Sequence, residues 1–66
     1  MTTGERIRAY RLQHNMTQDD MAEKLNVKKQ TVYKYEAGIV TNIPLDKVET
    51  MAEIFGVSPA HLVGWD

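Results

Sequence analysis

Apolar residues fall at helical spacing along the whole chain, and no run alternates with the two-residue period of a strand. Five helical segments follow from that pattern. The first, "TTGERIRAYRLQHN", sets Ile7 and Tyr10 three residues apart against a charged opposite face. Thr3 is expected to cap its start, and Asn15 to take the left-handed turn that ends it. The second segment opens at Thr17 with Asp20 three residues on, the spacing of a capping box. Met16 before that cap is placed to staple onto Met21, and Asn26 supplies another left-handed stop. The third, within "VKKQTVYKYEAG", begins only two or three residues later and ends at Gly38. "IVTNI" follows as a loop. The fourth, "PLDKVETMAEIFG", starts near Pro44 or Leu45 and stops at Gly56. Its expected inner face is Leu45, Val48, Met51, Ala52 and Phe55. In the last, Ser58 is the N-cap and Pro59 the first helical residue, and Leu62 faces inward.

Together the inward positions predict one core to which all five helices contribute. They are Ile7, Tyr10, Met16, Met21, Ala22, Leu25, Val27, Val32, Tyr35, Val48, Met51, Ala52, Phe55, Val57 and Leu62. The expected fold is all-α, a compact five-helix bundle forming a single domain over residues 1–66. A chain of 66 residues hides only about 60% of the surface its unfolded form exposes. Such domains often rely on staples. Here Cys is 0, which removes disulfides and thiolate metal sites. The two histidines, His14 and His61, stand far apart without acidic neighbours at ligand spacing. They are read as plain surface residues, with no metal and no cofactor. Apolar packing must hold the fold.

Net charge is -1 overall, which taken alone argues against a nucleic-acid binder. The distribution changes that picture. Residues 1–45 carry seven basic and five acidic side chains, whereas residues 46–66 set Lys47 against Asp46, Glu49, Glu53 and Asp66. A basic patch, where there is one, is local and lies in the first two thirds. No stretch is long and apolar enough to span a membrane. "MTTGERIRAY" lacks the apolar core of a signal peptide. A Cys-free chain without export signals fits the cytoplasm.

The third helix concentrates the local charge. At about 100° per residue, Lys29, Gln30, Tyr33 and Lys34 fall on one face, and Val32 and Tyr35 fall opposite, backed by Val27. The polar face suits nucleic acid. Gln can donate and accept side by side to an adenine edge, and Lys can donate to guanine acceptors or phosphate. Tyr offers a hydroxyl to phosphate or a ring to a thymine methyl. The same composition also describes an ordinary solvated helix face. A short capped helix, a tight turn at Asn26 and a second amphipathic helix make a helix-turn-helix unit, whose second helix enters the major groove.

The stretch "MTQDDMAEKLNVKKQTVYKYEAG" resembles the helix-turn-helix signature of the lambda-repressor/Cro-like family. Gln18, Ala22, Val27, Val32, Tyr35 and the Glu36-Ala37-Gly38 ending carry the likeness. "MAEIFGVSPAHLVGW" is similar to that family's last two helices. The resemblance implies a lambda-repressor-like bundle with helices 2 and 3 as the DNA-binding unit. It implies base reading by Lys29, Gln30 and Lys34, with Tyr33 beside them. Gln18 would touch a phosphate near the start of helix 2, where backbone N–H groups also favour an anion. Lys28 stands where the family has a small polar cap, which weakens the helix start and adds a phosphate contact. The loop after helix 3, basic in many relatives, offers only Thr41 and Asn42 here, alongside its backbone amides. The resemblance also implies a pair between Arg11 and Glu36, which would fix how helices 1 and 3 dock.

The implied function is sequence-specific binding of double-stranded DNA by a phage or mobile-element repressor, acting on a pseudo-palindromic operator as a homodimer. The "LxGW" ending matches phage repressors whose DNA-binding domain runs into a linker and a second, dimerising domain. The chain is therefore expected to be the N-terminal part of a longer repressor. Trp65 has two readings, docked back on the bundle or part of an apolar interface with Val63 and Ile54. A competing function is a protein-interaction module, an antitoxin or adaptor, that uses the acidic half formed by helices 4 and 5. An enzyme is not supported, because no acid/base pair, nucleophile–base spacing, P-loop or small-molecule pocket can be read.

Overall fold

The structure, a computed structural model, describes residues 1–65. Its helices are α1 (Thr3–Gln13), α2 (Gln18–Leu25), α3 (Lys29–Glu36), α4 (Leu45–Phe55) and α5 (Pro59–Leu62). No strand occurs among the described residues.

The helix starts follow local chemistry. At α2, the Thr17 N–H donates to Asp20 Oδ2 at 2.8 Å, and the Asp20 N–H donates to Thr17 Oγ1 at 3.0 Å. The backbone N–H of Thr17, then its hydroxyl, hold the Asp20 carboxyl below its ordinary value. At α1 the cap is Thr2, not the expected Thr3. A capping box needs an acceptor three residues on. Thr2 finds Glu5, with the Thr2 N–H donating to Glu5 Oε1 at 2.7 Å, whereas Thr3 would find Arg6, which only donates. The Thr2 N–H and hydroxyl lower the Glu5 pKa in the same way. The Thr3 hydroxyl instead donates to the Val63 carbonyl at 3.5 Å. At α5, Ser58 Oγ accepts from the His61 N–H at 3.0 Å.

All five helices end in one way. A left-handed residue follows each, namely Asn15 (φ 56), Asn26 (φ 57), Gly38 (φ 74), Gly56 (φ 72) and Gly64 (φ 85). The next residue's N–H then reaches back five positions. Met16 bonds Arg11, Val27 bonds Ala22, Ile39 bonds Lys34, Val57 bonds Ala52 and Trp65 bonds Ala60, at 2.8–3.1 Å. This is the Schellman closure, in which an apolar residue after the turn folds back on the helix. Met16, Val27 and Val57 do so and pack against the core. Ile39 and Trp65 do not and stay exposed.

The core is Ile7, Met21, Ala22, Leu25, Val32, Tyr35, Val48, Met51, Ala52, Phe55 and Leu62. Every one of these was expected from the apolar spacing. Tyr10, Met16, Val27 and Val57 sit half-buried at the rim, joined by Val40, Ile43, Ile54 and Val63. Leu45 departs from the expectation and is 68% exposed. It starts α4, about 80° around the helix from Phe55, where no other helix covers it. His14 and His61 are exposed but partnered. Tyr10 stacks on Phe55 with centroids 5.3 Å apart. His61 Nε2 lies 2.8 Å from the Tyr10 hydroxyl, and the His14 ring packs on Phe55 at 5.6 Å.

Two long-range contacts fix the helices around the helix-turn-helix, the second of them against α3. Lys47 of α4 donates to the Leu25 carbonyl at 2.9 Å, satisfying an orphan acceptor at the end of α2. Gly4 of α1 is buried against the last turn of α3. A Cβ built there would lie 2.5 Å from the carbonyl oxygens of both Tyr35 and Glu36. Carbonyls at the negative end of α3 thus meet the positive first turn of α1, a favourable sign.

Candidate nucleic-acid interface

α3 is held from behind. Val32, Tyr35 and Glu36 are buried, while Lys29, Gln30, Tyr33 and Lys34 are all exposed. Lys28 at the N-cap is extended (φ -81, ψ 153) and makes no side-chain cap bond, so its ammonium stays in solvent beside the helix start. Lys29 Nζ lies 3.8 Å from Asp19 Oδ2 of α2, both well exposed. A pair so exposed contributes little to stability. It does tether one lysine of this face to a carboxylate that must give way, or repel, when an anion approaches.

Behind the face lies a buried polar network. Arg11 Nε donates to Glu36 Oε2 at 2.6 Å, and Arg11 Nη2 donates to Glu36 Oε1 at 3.1 Å. Arg11 Nη1 donates to the Met16 carbonyl at 2.8 Å. Gln18 Nε2 donates to Glu36 Oε1 at 3.1 Å. One carboxylate therefore ties together α1, the start of α2 and the end of α3. No buried side-chain nitrogen or oxygen among the described residues lacks a partner. Gln18 is half-buried, and one of its two amide hydrogens is committed to Glu36.

The structure brings several of the expected contact residues together. Gln18 and Tyr33 share a cleft with Arg8. Lys29 stands next to Asp19, the neighbour of Gln18. Thr41 lies at the far end of α3, in a groove with Thr2, Thr3, Gly4 and Tyr35. Asn42 is exposed in the same loop. Sequence reasoning missed Arg8. Its spacing of three from Arg11 could have placed both on one face of α1. It also missed Asp19 as the partner of Lys29, and Gly4.

On another side, Trp65 is 87% exposed. It lines an apolar groove of about 290 Å³ with Ile43, Leu45, Val48, Pro59, Ala60 and Val63. Ile54, the expected neighbour, does not line it. Among the described residues no helix is long and apolar enough to cross a membrane, and no cluster of metal-ligating side chains occurs.

Solved structures share the fold. The P22 c2 repressor protein, solved in complex with a synthetic operator, superposes with a TM-score of 0.89 at 21% identity, over 100% of this chain and 98% of that one. SinR, described as the master regulator for biofilm formation and solved in complex with DNA, gives 0.82 at 28% identity, over 92% and 97%. Among curated proteins, the uncharacterized HTH-type transcriptional regulator YobD of Bacillus subtilis is 33% identical over 60 residues, 91% of this chain and 53% of YobD. The uncharacterized HTH-type transcriptional regulator MJ0272 of Methanocaldococcus jannaschii is 46% identical over 33 residues, 50% of each chain. The chain spans about half the length of these curated relatives. The helix-turn-helix family model matches residues 7–62. On that match and the five-helix geometry, the chain belongs to the lambda-repressor-like, XRE-type helix-turn-helix family.

Proposed function

We propose that this chain is a sequence-specific duplex-DNA-binding domain that acts in the cytoplasm as a transcriptional repressor of the phage or mobile-element kind. The observation that carries the reading is the division of α3. Val32, Tyr35 and Glu36 lock it to the bundle, and Lys29, Gln30, Tyr33 and Lys34 are left exposed together. A helix fixed on one side and bearing adjacent amide, ammonium and phenol groups on the other is equipped to read base edges in the major groove. Gln18, Lys28, Thr41 and Asn42 flank it as phosphate contacts. Two copies would bind a pseudo-palindrome with half-sites about 34 Å apart. The P22 c2 repressor and SinR structures, both complexes with DNA, support the reading by analogy of fold. Selection of bound sequences from random duplex DNA tests it directly and reports half-site and spacing. Failure to enrich any sequence would sink it.

Base readers and phosphate contacts separate by mutation. Gln30→Ala is expected to lose about 1–3 kcal/mol on the selected site and to relax preference at one base position. Lys28→Ala is expected to weaken selected and random DNA equally and to reduce the salt slope by about one unit. Titration of both variants against both duplexes checks this, and identical behaviour would erase the distinction.

A second reading, a protein-interaction module such as an antitoxin or adaptor, has one feature in its favour. The exposed Trp65 shares one apolar groove with Ile43, Leu45, Val48, Pro59, Ala60 and Val63, a contiguous patch of the kind that marks interaction sites. Salt separates the two. DNA binding predicts that log K falls by about 0.9 per phosphate contacted for each unit of log salt. A flat response, with operator and random DNA bound alike, favours the module.

A further inference from the structure

Beside the α3 face lies a cleft of about 190 Å³ whose lining includes Arg8, Gln18, Tyr33 and Glu36. A carboxylate in its wall would ordinarily repel an anion. Here the Glu36 charge is neutralised, because Arg11 donates to both of its oxygens and Gln18 adds a third donor. Once that pair is set aside, the cleft's remaining formal charge is Arg8. This side chain is exposed on α1, and among the described residues it makes no ion pair or side-chain hydrogen bond. The other groups in the cleft also have capacity to spare. Gln18 has a second amide hydrogen, and the exposed Tyr33 carries a hydroxyl.

We propose that Arg8 is a further DNA contact, and that its guanidinium, with the free amide hydrogen of Gln18 and the Tyr33 hydroxyl, seats one backbone phosphate in this cleft. The proposal rests on the reading of the chain as a duplex-DNA binder. A planar guanidinium fork matches two phosphate oxygens, which an ammonium does not. Phosphate contacts position a protein on the duplex and carry no sequence information themselves. A phosphate held between α1, the start of α2 and the end of α3 would set the depth and tilt of α3. It would do so through the same network that docks α3 on the bundle. Arg8 is thus a positioning contact, and its loss should not alter which bases are preferred.

The test is a potassium chloride titration of the full chain against its selected duplex and a random duplex, read by fluorescence anisotropy. Arg8→Gln is expected to lower the salt slope by about 0.9, which amounts to about eightfold weaker binding at 0.1 M salt on both duplexes. Arg6→Gln is the charge-matched control. Arg6 lies about 200° around α1 from Arg8, in a groove with Met1, Tyr10 and His61. It is expected to leave the slope unchanged. Arg8→Lys should keep the slope and still lose affinity, because the charge stays and the fork goes. Equal slopes for Arg8→Gln and the native chain would overturn the proposal, as would equal losses from Arg8→Gln and Arg6→Gln. Salt-insensitive or absent binding by the native chain fails the parent reading instead, before any variant is compared.

Discussion

Replacing Glu36 with alanine is expected to cost about 3–5 kcal/mol of folding stability. The reason is what remains. Arg11 is 7% exposed, and without Glu36 its guanidinium keeps only the Met16 carbonyl as an acceptor. A buried charge stripped of its counter-ion costs far more than the pair contributed when intact. Gln18 loses its partner as well. A domain of 66 residues has a total stability of roughly 3–10 kcal/mol, so the loss is a large share of it, and the melting temperature is expected to fall by about 12–40 °C. The converse variant, Arg11→Met with Glu36→Leu, removes both charges and is expected to recover most of the loss. Recovery stays incomplete because the Met16 carbonyl is left without its donor. Urea unfolding of Arg11→Met, Glu36→Leu and the double variant gives the coupling directly. A Glu36→Ala midpoint close to the native one would show that the network adds nothing to the fold.

Gly4→Ala is expected to destabilise by about 3 kcal/mol, the upper end of the range for overpacking. The sign is the informative part. Inside a helix, Gly→Ala ordinarily stabilises by about 0.5–1 kcal/mol. Here the new methyl would lie 2.5 Å from two backbone carbonyl oxygens, those of Tyr35 and Glu36. Backbone atoms cannot rotate out of the way, so α1 must move off α3 as a unit. That movement also strains the geometry between Arg11 and Glu36. Thermal unfolding by circular dichroism reads the result, with a fall of about 12–24 °C expected. A raised melting temperature would mean that the helices do not approach this closely. The same substitution should weaken DNA binding beyond its effect on the folded fraction, because α1 sets where α3 stands.

The sequence disclosed most where chemistry is local. Asn15, Asn26, Gly38 and Gly56 were readable as helix stops, because a left-handed residue is cheap only for such side chains. Thr17 and Asp20 were readable as a box, and helical spacing marked every buried apolar residue. Local rules failed where two candidates competed or where a neighbour decides. Thr3 beside Thr2 is the first kind, resolved only by asking which has an acceptor three residues on. Leu45 is the second, since spacing gives a face but not whether another helix covers it. Gly4 reads as a weak helix residue until α3 is seen against it. Around the interface, periodicity gave the exposed face of α3, but Asp19 meets Lys29, and Arg8 shares a cleft with Gln18, across separate helices. Trp65 departs from the docked reading, and it lines an apolar groove with Val63 but without Ile54. It takes the apolar position of a Schellman closure yet stays exposed.

The contacts holding α1 differ greatly in how far they reach along the chain. Arg11 and Glu36 are 25 residues apart, Tyr10 and His61 are 51 apart, and Thr3 and Val63 are 60 apart. Each doubling of a loop adds about 0.6 kcal/mol to the entropy of closing it, and α5, with 4 residues, brings little stability of its own. An order of folding events is expected from this. α2 and α3, joined by a few residues, would pair first, α1 would dock on α3 next, and α5 would clasp α1 last. Leu62→Ala is therefore expected to speed unfolding and leave the refolding rate nearly untouched. A chevron with a slowed refolding arm would reverse that order. On this sequence of events, the α2–α3 unit would be assembled before the two ends of the chain meet.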